Sequence, residues 1–445
     1  MQTLQRACLI ALAVVGLALT GAVPADARDQ AGTITRFGAG GGVSHPAIDS
    51  DSRGRGTATW LWERKAWSSD FDGRTWSCPK GLPGSAGAVS FYDASWNLAE
   101  AASGAAVLSG AVRDAGGRTR AAVWTRAAVG RPWVQVRWSD PNSFAITQAA
   151  GTPSVALTGS VALVAWVAQD RATSEVYAAK IPVGSTAKVT PTSVYSRSGP
   201  PTDTDPDVGI DAQGNALIQF EDWVGYDYLL YLTRWPSGGV PATAIVTSEV
   251  EYKSNLTSMH VNAAGQMITS WGNAPSGPGA PAEYQQWVGL GTSVAGITSQ
   301  DIWQRFGTPE AVYEPDTVGS DIDAAGNAAL MVIYDNQLYG GLGNVNSGLG
   351  ALAPRASKPV AHGGDRWDVT VRGGRAIAAL STTDGASILE ELVGDQFTTA
   401  ATLPGSTAVD SAFVSTGGMM RPAMVGTSAV SSFFRTTLPT RVRRC

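Results

Sequence analysis

Charge is scarce in this chain. Only 16% of its 445 residues are Asp, Glu, Lys or Arg, against 44% that are hydrophobic, and the formal net charge is -5. So many apolar side chains with so few charges can bury a large core, which excludes the disordered and fibrous classes. Six lysines accompany 26 arginines, scattered along the chain, and no basic stripe suited to a nucleic-acid backbone is present. Cysteine occurs three times, too few for a disulfide scaffold or an array of zinc ribbons. Histidine also occurs three times, at His45, His260 and His362, each at a different offset from the turn that follows it, so no metal site is expected. Phosphate-cradling loops, dinucleotide fingerprints, nucleophile elbows and metalloprotease helices are missing in any fitting context, and no cofactor is expected.

Long apolar runs are missing as well, with one exception. Arg6 precedes an apolar stretch from Ala7 to Val23, followed by Ala25-Asp26-Ala27, a small-residue A-x-A site. This is the order of a secretory signal peptide, so residues 1–27 are read as a signal and residues 28–445 as one exported domain. The run is short for a membrane span, and no other segment approaches one, so no span is expected in the mature chain. Removing residues 1–27 takes Cys8 with it and leaves Cys78 and Cys445. An exported protein can pair two such cysteines; the other reading is a free thiol at Cys445.

What the chain has in plenty is glycine, at 52 positions, and tryptophan, at 15. The glycines fall into a recurring pattern: an alternating apolar segment, a D-x-x-G turn, then an apolar strand. Asp207 to Phe220 and Ser320 to Val332 are the clearest copies, and Asp51 to Trp60 and Asn262 to Trp271 follow the same count. An Asp or Asn at the first turn position bonds its own backbone two residues on, and glycine supplies the positive φ of a tight hairpin. In these four copies the residue nine beyond the turn acid or amide is apolar (Trp60, Phe220, Trp271, Val332), which fixes one face of the second strand. Weaker copies are anchored near residues 101, 157, 371 and 415. A spacing near fifty residues, with period-two strands and no convincing helix after residue 27, predicts an all-β propeller of seven or eight four-stranded antiparallel blades. The count depends on the anchors at 101 and 415.

Only three strands follow the last anchor, while an orphan strand, residues 32–37, precedes the first. The N-terminal strand is therefore expected to complete the last blade and close the ring, with Cys78 and Cys445 as the disulfide candidate at the same junction.

The segment Ser69-Asp70-Phe71-Asp72-Gly73-Arg74-Thr75-Trp76 resembles the Asp-box hairpin of sialidase-like propellers, S-x-D-x-G-x-T-W, with the aspartate one place late. The resemblance implies an exported bacterial propeller of that broad kind. It does not bring the sialidase machinery: Arg36-Phe37-Gly38 does not match the family's first-arginine motif, and fold alone does not carry function.

The D-x-x-G turns would lie on one face of the ring. The opposite loops are expected to hold interleaved acids and aromatics: Asp203, Asp205, Glu221, Asp222, Trp223, Tyr226, Glu310, Tyr313, Glu314 and Asp316. Aromatic faces stack on sugar rings, and paired carboxylates about 5 to 10 Å apart perform glycosidic chemistry. Three readings follow: a monomeric exported propeller that binds a glycan, cell-wall or protein ligand, a glycoside hydrolase or lyase, and a structural surface protein. The catalytic question stays open at this level.

Overall fold

The computed structural model describes residues 34–36, 44–89, 96–139, 153–169, 173–198, 206–224, 227–247, 257–273, 284–306, 317–350, 353–354, 359–360, 369–404, 406–416, 419–428, 431–436 and 441–442. All regular structure among them is β, and it forms a β-propeller of four-stranded antiparallel blades.

Seven blades are built from consecutive chain, each counted from its innermost strand outward. Blade 1 comprises Ser44–Ser50, Gly56–Trp62, Lys65–Phe71 and Thr75–Trp76; blade 2 comprises Asn97–Glu100, Ala106–Arg113, Thr119–Arg126 and Val134–Gln135. Blade 3 runs Ser154–Thr158, Val161–Gln169, Thr173–Pro182 and Thr192–Ser198, and blade 4 runs Asp207–Ile210, Ala216–Val224, Asp227–Trp235 and Ala242–Thr247. Blade 5 holds Ser258–Val261, Gln266–Asn273, Tyr284–Thr292 and Gly296–Phe306; blade 6 holds Thr317–Ile322, Asn327–Tyr334, Gln337–Asn344 and Gly348–Leu349. Blade 7 is Val369–Arg372, Arg375–Ser381, Ala386–Val393 and Gln396–Pro404. A composite eighth sheet joins the two ends of the chain: Ser406–Thr416, Met419–Ser428 and Ser431–Thr436 take Ile34–Arg36 as their outer strand, in register Ile34 with Arg435. Ring closure by the N-terminal strand, expected from the strand count, is what the sheet shows.

The turns explain why these residues form hairpins. In the first, Asp51 Oδ1 accepts the N–H groups of Arg53 and Arg55; Asp211, Asn262 and Asp323 accept from the equivalent two positions, at 2.8 to 3.0 Å. The residue four beyond returns the bond: Asn215 Nδ2 and Asn327 Nδ2 donate to Asp211 and Asp323 at 2.8 and 2.9 Å, and Arg55 Nε to Asp51 at 2.6 Å. Glycine is required because Gly54, Gly214, Gly265 and Gly326 sit at φ of 70 to 84°. Asp72 makes the same kind of turn one hairpin later, accepting from Arg74 N and Thr75 N at 2.9 and 2.7 Å.

Packing lies between the blades. Trp60, Phe220, Trp271 and Val332 are all buried, as the nine-residue spacing predicted. Opposite all four, and opposite Trp166, the third strand supplies an aromatic: Trp60 faces Trp67, Trp166 faces Tyr177, Phe220 faces Tyr231, Trp271 faces Trp287 and Val332 faces Tyr339. Such cross-strand aromatic pairs each add up to about 1 kcal/mol to a sheet. Nearer the axis, carboxylates join neighbours: Asp49 accepts Glu100 N of blade 2 at 2.6 Å, Asp321 accepts Val371 N of blade 7 at 2.6 Å, and Asp410 accepts Ile48 N of blade 1 at 2.7 Å.

Candidate functional site

The D-x-x-G turns connect the first and second strands of a blade and define the lower face. The upper face carries the hairpins between second and third strands, and on blade 4 that hairpin closes with Val224 paired to Asp227. Of the residues singled out in the sequence, Glu221, Asp222 and Trp223 lie here. They are the end of the second strand of blade 4 rather than loop. The strand persists because Asp222 pairs with Leu229 and Glu221 with Leu230 on the third strand, so the ladder holds their backbone. Asp203, Asp205, Tyr226, Glu310, Tyr313, Glu314 and Asp316 lie outside the described residues, as does Cys445.

Glu221 and Asp222 are both buried, at 3% and 1% exposure, and being consecutive on a strand they leave opposite faces of the blade. Asp222 looks toward blade 3. Glu221 shares its face with Gln219, whose Oε1 accepts from Thr269 Oγ1 of blade 5. The two carboxylates therefore belong to different junctions, with a sheet between them, and cannot act together across one bond.

Asp222 has built a site at its own junction. Its Oδ2 accepts from the Tyr195 hydroxyl at 2.7 Å and lies 2.7 Å from Arg197 Nε. Tyr195 and Arg197 stand two apart on the outer strand of blade 3, hence on one face. A bulge delivers them: the register runs from Val176 with Tyr195 to Tyr177 with Ser193, leaving Val194 as the extra residue. The Val194 carbonyl accepts from Thr243 Oγ1 of blade 4 at 2.7 Å, which anchors the bulge to the next blade. Around the hydroxyl, the Tyr195 ring lies 5.1 Å from Phe220 and 4.8 Å from Tyr231, and Phe220 stacks on Tyr231 at 5.3 Å. Tyr195 and Arg197 are half-buried, while Asp222, Phe220 and Tyr231 are buried beneath them.

Burial raises the Tyr195 pKa well above the usual phenol range, and the neighbouring Tyr231 hydroxyl and the Asp222 carboxylate add to it. Tyr195 is a neutral hydrogen-bond donor at physiological pH. A phenol held that firmly protonated is ill suited to removing a proton from a sugar carbon, which calls for a base poised near the working pH.

A second polar cluster, which nothing in the local sequence signals, joins blades 1 and 2 toward the lower face. The Arg126 side chain is fully buried; it reaches Asp70 and Thr57 and lies 3.4 Å from Glu100, with its guanidinium 5.1 Å from the Trp133 ring centre. Burial drives the Glu100 pKa well above its usual value, against the opposing pull of Arg126 and of the Thr57 hydroxyl, which donates to it at 2.6 Å. Through Arg126 the cluster ties blade 2 to blade 1. Among the described residues no group of three or more His, Cys, Asp or Glu is arranged to hold a metal, and no helix is long and apolar enough to cross a membrane.

No family model matches the chain, and no curated protein matches it by sequence. Solved structures similar to it include a polysaccharide lyase of family PL25, an ulvan lyase, at 10% identity and a TM-score of 0.48 over 91% of this chain and 96% of that one. Polysaccharide lyase Uly1 is similar at 8% identity and a TM-score of 0.45, covering 75% and 87%. The fucose-specific lectin of Aleuria aurantia follows at 10% identity and 0.40, covering 71% and 97%. The chain is thus a β-propeller by its own strand pairing, with neighbours among lyases and lectins that share that general architecture.

Proposed function

We propose that this chain is an exported, monomeric propeller that binds a hydroxyl-rich ligand, a glycan of the cell wall or of a surface glycoprotein, on its upper face at the junction of blades 3 and 4, without cleaving it. The observation that carries the reading is the Tyr195, Arg197 and Asp222 cluster: two half-buried side chains, one aromatic and one cationic, locked from below by a buried carboxylate. Fixed polar groups beside aromatic rings are what a recognition site needs, since the ordering cost is met before the ligand arrives. Against catalysis stand the divergence of Glu221 from Asp222 and the firmly protonated Tyr195. Export rests on the signal-like residues 1–27, and neither the charge nor the surface motifs favour nucleic acid.

The test is retention on insoluble cell-wall polysaccharide and on a glycan array, comparing the intact protein with Tyr195→Ala and Arg197→Ala, each verified as folded by near-ultraviolet circular dichroism. Both substitutions should abolish retention. Retention unchanged by either would overturn the assignment of this junction, and new reducing ends or unsaturated uronates released by the intact protein would overturn the non-catalytic reading.

A further inference from the structure

The upper hairpin of blade 1 turns through Glu63 and Arg64, at positive φ of 51 and 58°, the tight two-residue turn that suits the twist of the strands. It closes with Trp62 paired to Lys65, and two steps down the ladder Trp60 pairs with Trp67, so alternation puts all four side chains on one side of the blade. That side faces the composite blade: Trp60 packs with Ala412 and Ala423, and Trp62 and Trp67 lie at the edge of the same cluster. Trp60 is buried, but Trp62, Trp67 and Lys65 are only half-buried. The Trp62 and Trp67 ring centres are 5.5 Å apart with planes tilted by 46°, and the Lys65 ammonium stands 5.1 Å from the centre of the Trp67 ring. The lysine stem crosses Gly81 on the neighbouring strand Lys80–Gly81, where a methyl group would come within 2.4 Å of Lys65 Cε.

Among the described residues, two other cations lie over tryptophan rings, and both are committed. Arg126, over Trp133, pairs with Asp70, and Lys180, over Trp235, donates to the carbonyls of Trp235 and Pro236 at 2.9 and 3.0 Å. Lys65 has neither a carboxylate nor a hydrogen-bond acceptor among the described residues, and Trp67 Nε1 has no acceptor there either. From this arrangement we propose that Trp62, Lys65 and Trp67 form a second binding site, for an anionic sugar residue bearing a carboxylate or a sulfate ester. Rings this close leave no slot for a flat ligand, which needs about 7 Å between two ring planes. What they expose is one bent aromatic surface, which the C–H face of a puckered sugar covers. The ammonium beside it lacks an anion, and a charge-assisted bond to an acidic substituent supplies one. Glu63 and Arg64 in the turn offset each other, so Lys65 sets the sign of the patch. The site shares no residue with the junction of blades 3 and 4 and does not depend on that assignment.

The experiment is isothermal titration of the full chain with a galacturonate tetrasaccharide, a sulfated galactose tetrasaccharide and the neutral galactose tetrasaccharide. At least one acidic probe should bind about tenfold more tightly than the neutral one, and the tighter of the two identifies the acidic group as carboxylate or sulfate. Lys65→Gln should bring the acidic probes down to the level of the neutral one, and Lys65→Arg should restore the difference. Trp62→Ala should weaken the preferred acidic probe by about tenfold; if that variant fails to fold, the two Lys65 variants carry the test. Equal binding of acidic and neutral probes by the intact protein, or binding of neither, would overturn the site. An acid preference that survives Lys65→Gln and disappears in Arg197→Ala would overturn it while leaving the junction of blades 3 and 4 standing. Failure of that junction alone would leave the preference set by Lys65 in place.

Discussion

The Tyr195 hydroxyl donates to Asp222 at 2.7 Å across the junction of two blades, and Arg197 meets the same oxygen from the same strand at 2.7 Å. Sequence places Tyr195 and Asp222 27 residues apart; the bulge at Val194 and the stagger between blades bring them together. The junction is therefore both a candidate recognition site and a structural joint, and the two roles separate by measurement.

Removing the buried carboxylate strands a mostly buried guanidinium. Asp222→Ala is expected to cost about 3 kcal/mol, the lower end for breaking a buried pair because Arg197 keeps some solvent. Tyr195→Phe, which loses one hydrogen bond and leaves the ring, should cost about 1 kcal/mol. In urea unfolding the double variant should lose less than the sum, because the two share one oxygen.

Tyrosine ionisation gives an independent view. Followed by tyrosinate absorbance, Tyr195 should ionise after the exposed tyrosines, and Asp222→Asn should move it downward because the carboxylate's charge is one cause of its elevation. The wild-type trace minus the Tyr195→Phe trace isolates the group.

Two carboxyls give opposite pH slopes to stability. Glu100 holds its proton more tightly folded than unfolded, so its contribution is complete below the ordinary glutamate range and is lost as pH rises through its folded value. Asp211 is the reverse: burial works against its charge, but bonds from Ser293, Asn215 and the Gln213 amide outweigh burial and lower its pKa. Its contribution is complete above the ordinary aspartate range and is lost as pH falls through its folded value. Thermal melts across pH should show the rising-pH loss flattened in Glu100→Gln and the acid-side loss flattened in Asp211→Asn.

The turn glycines should be intolerant. Gly326 sits at φ 80°, and a methyl there would come within 2.8 Å of Gln266 Oε1. Gly326→Ala should cost about 1–3 kcal/mol in urea unfolding, and Asn327→Ala, which removes the returned bond to Asp323, about 1 kcal/mol.

Deleting residues 28–36 should bare the strand Ser431–Thr436, now covered by Ile34–Arg36. An unpaired edge recruits other edges. Light scattering should report self-association and the melt a lower Tm, both reversed by a synthetic peptide spanning residues 28–37.

The ring was legible because its signals are local. Alternation and D-x-x-G turns are written within about fifteen residues, and even the weak anchor at 101 is sound: Gly104 N donates to Ala101 O, and Ala101 N to Ala105 O, both at 2.8 Å, the bonds that Asp51 makes with its own turn at 2.9 Å. The backbone closes the turn there, and an acid only reinforces it. What was not legible lies between blades. Glu221 to Trp223 read as a polar loop because their partners sit on neighbouring strands and on another blade, and Arg126 finds Thr57 across 69 positions of sequence. Such contacts leave no period in the chain.

The inner carboxylates Asp49, Asp321 and Asp410 each accept a backbone N–H from the blade that follows. A repeat of this kind encodes a sheet together with half of its coupling to the next copy, and the polarity of that coupling is the same at each of the three places. Duplicating such a segment supplies a new joint along with a new blade, so the ring grows in whole units, each carrying its own coupling to the next.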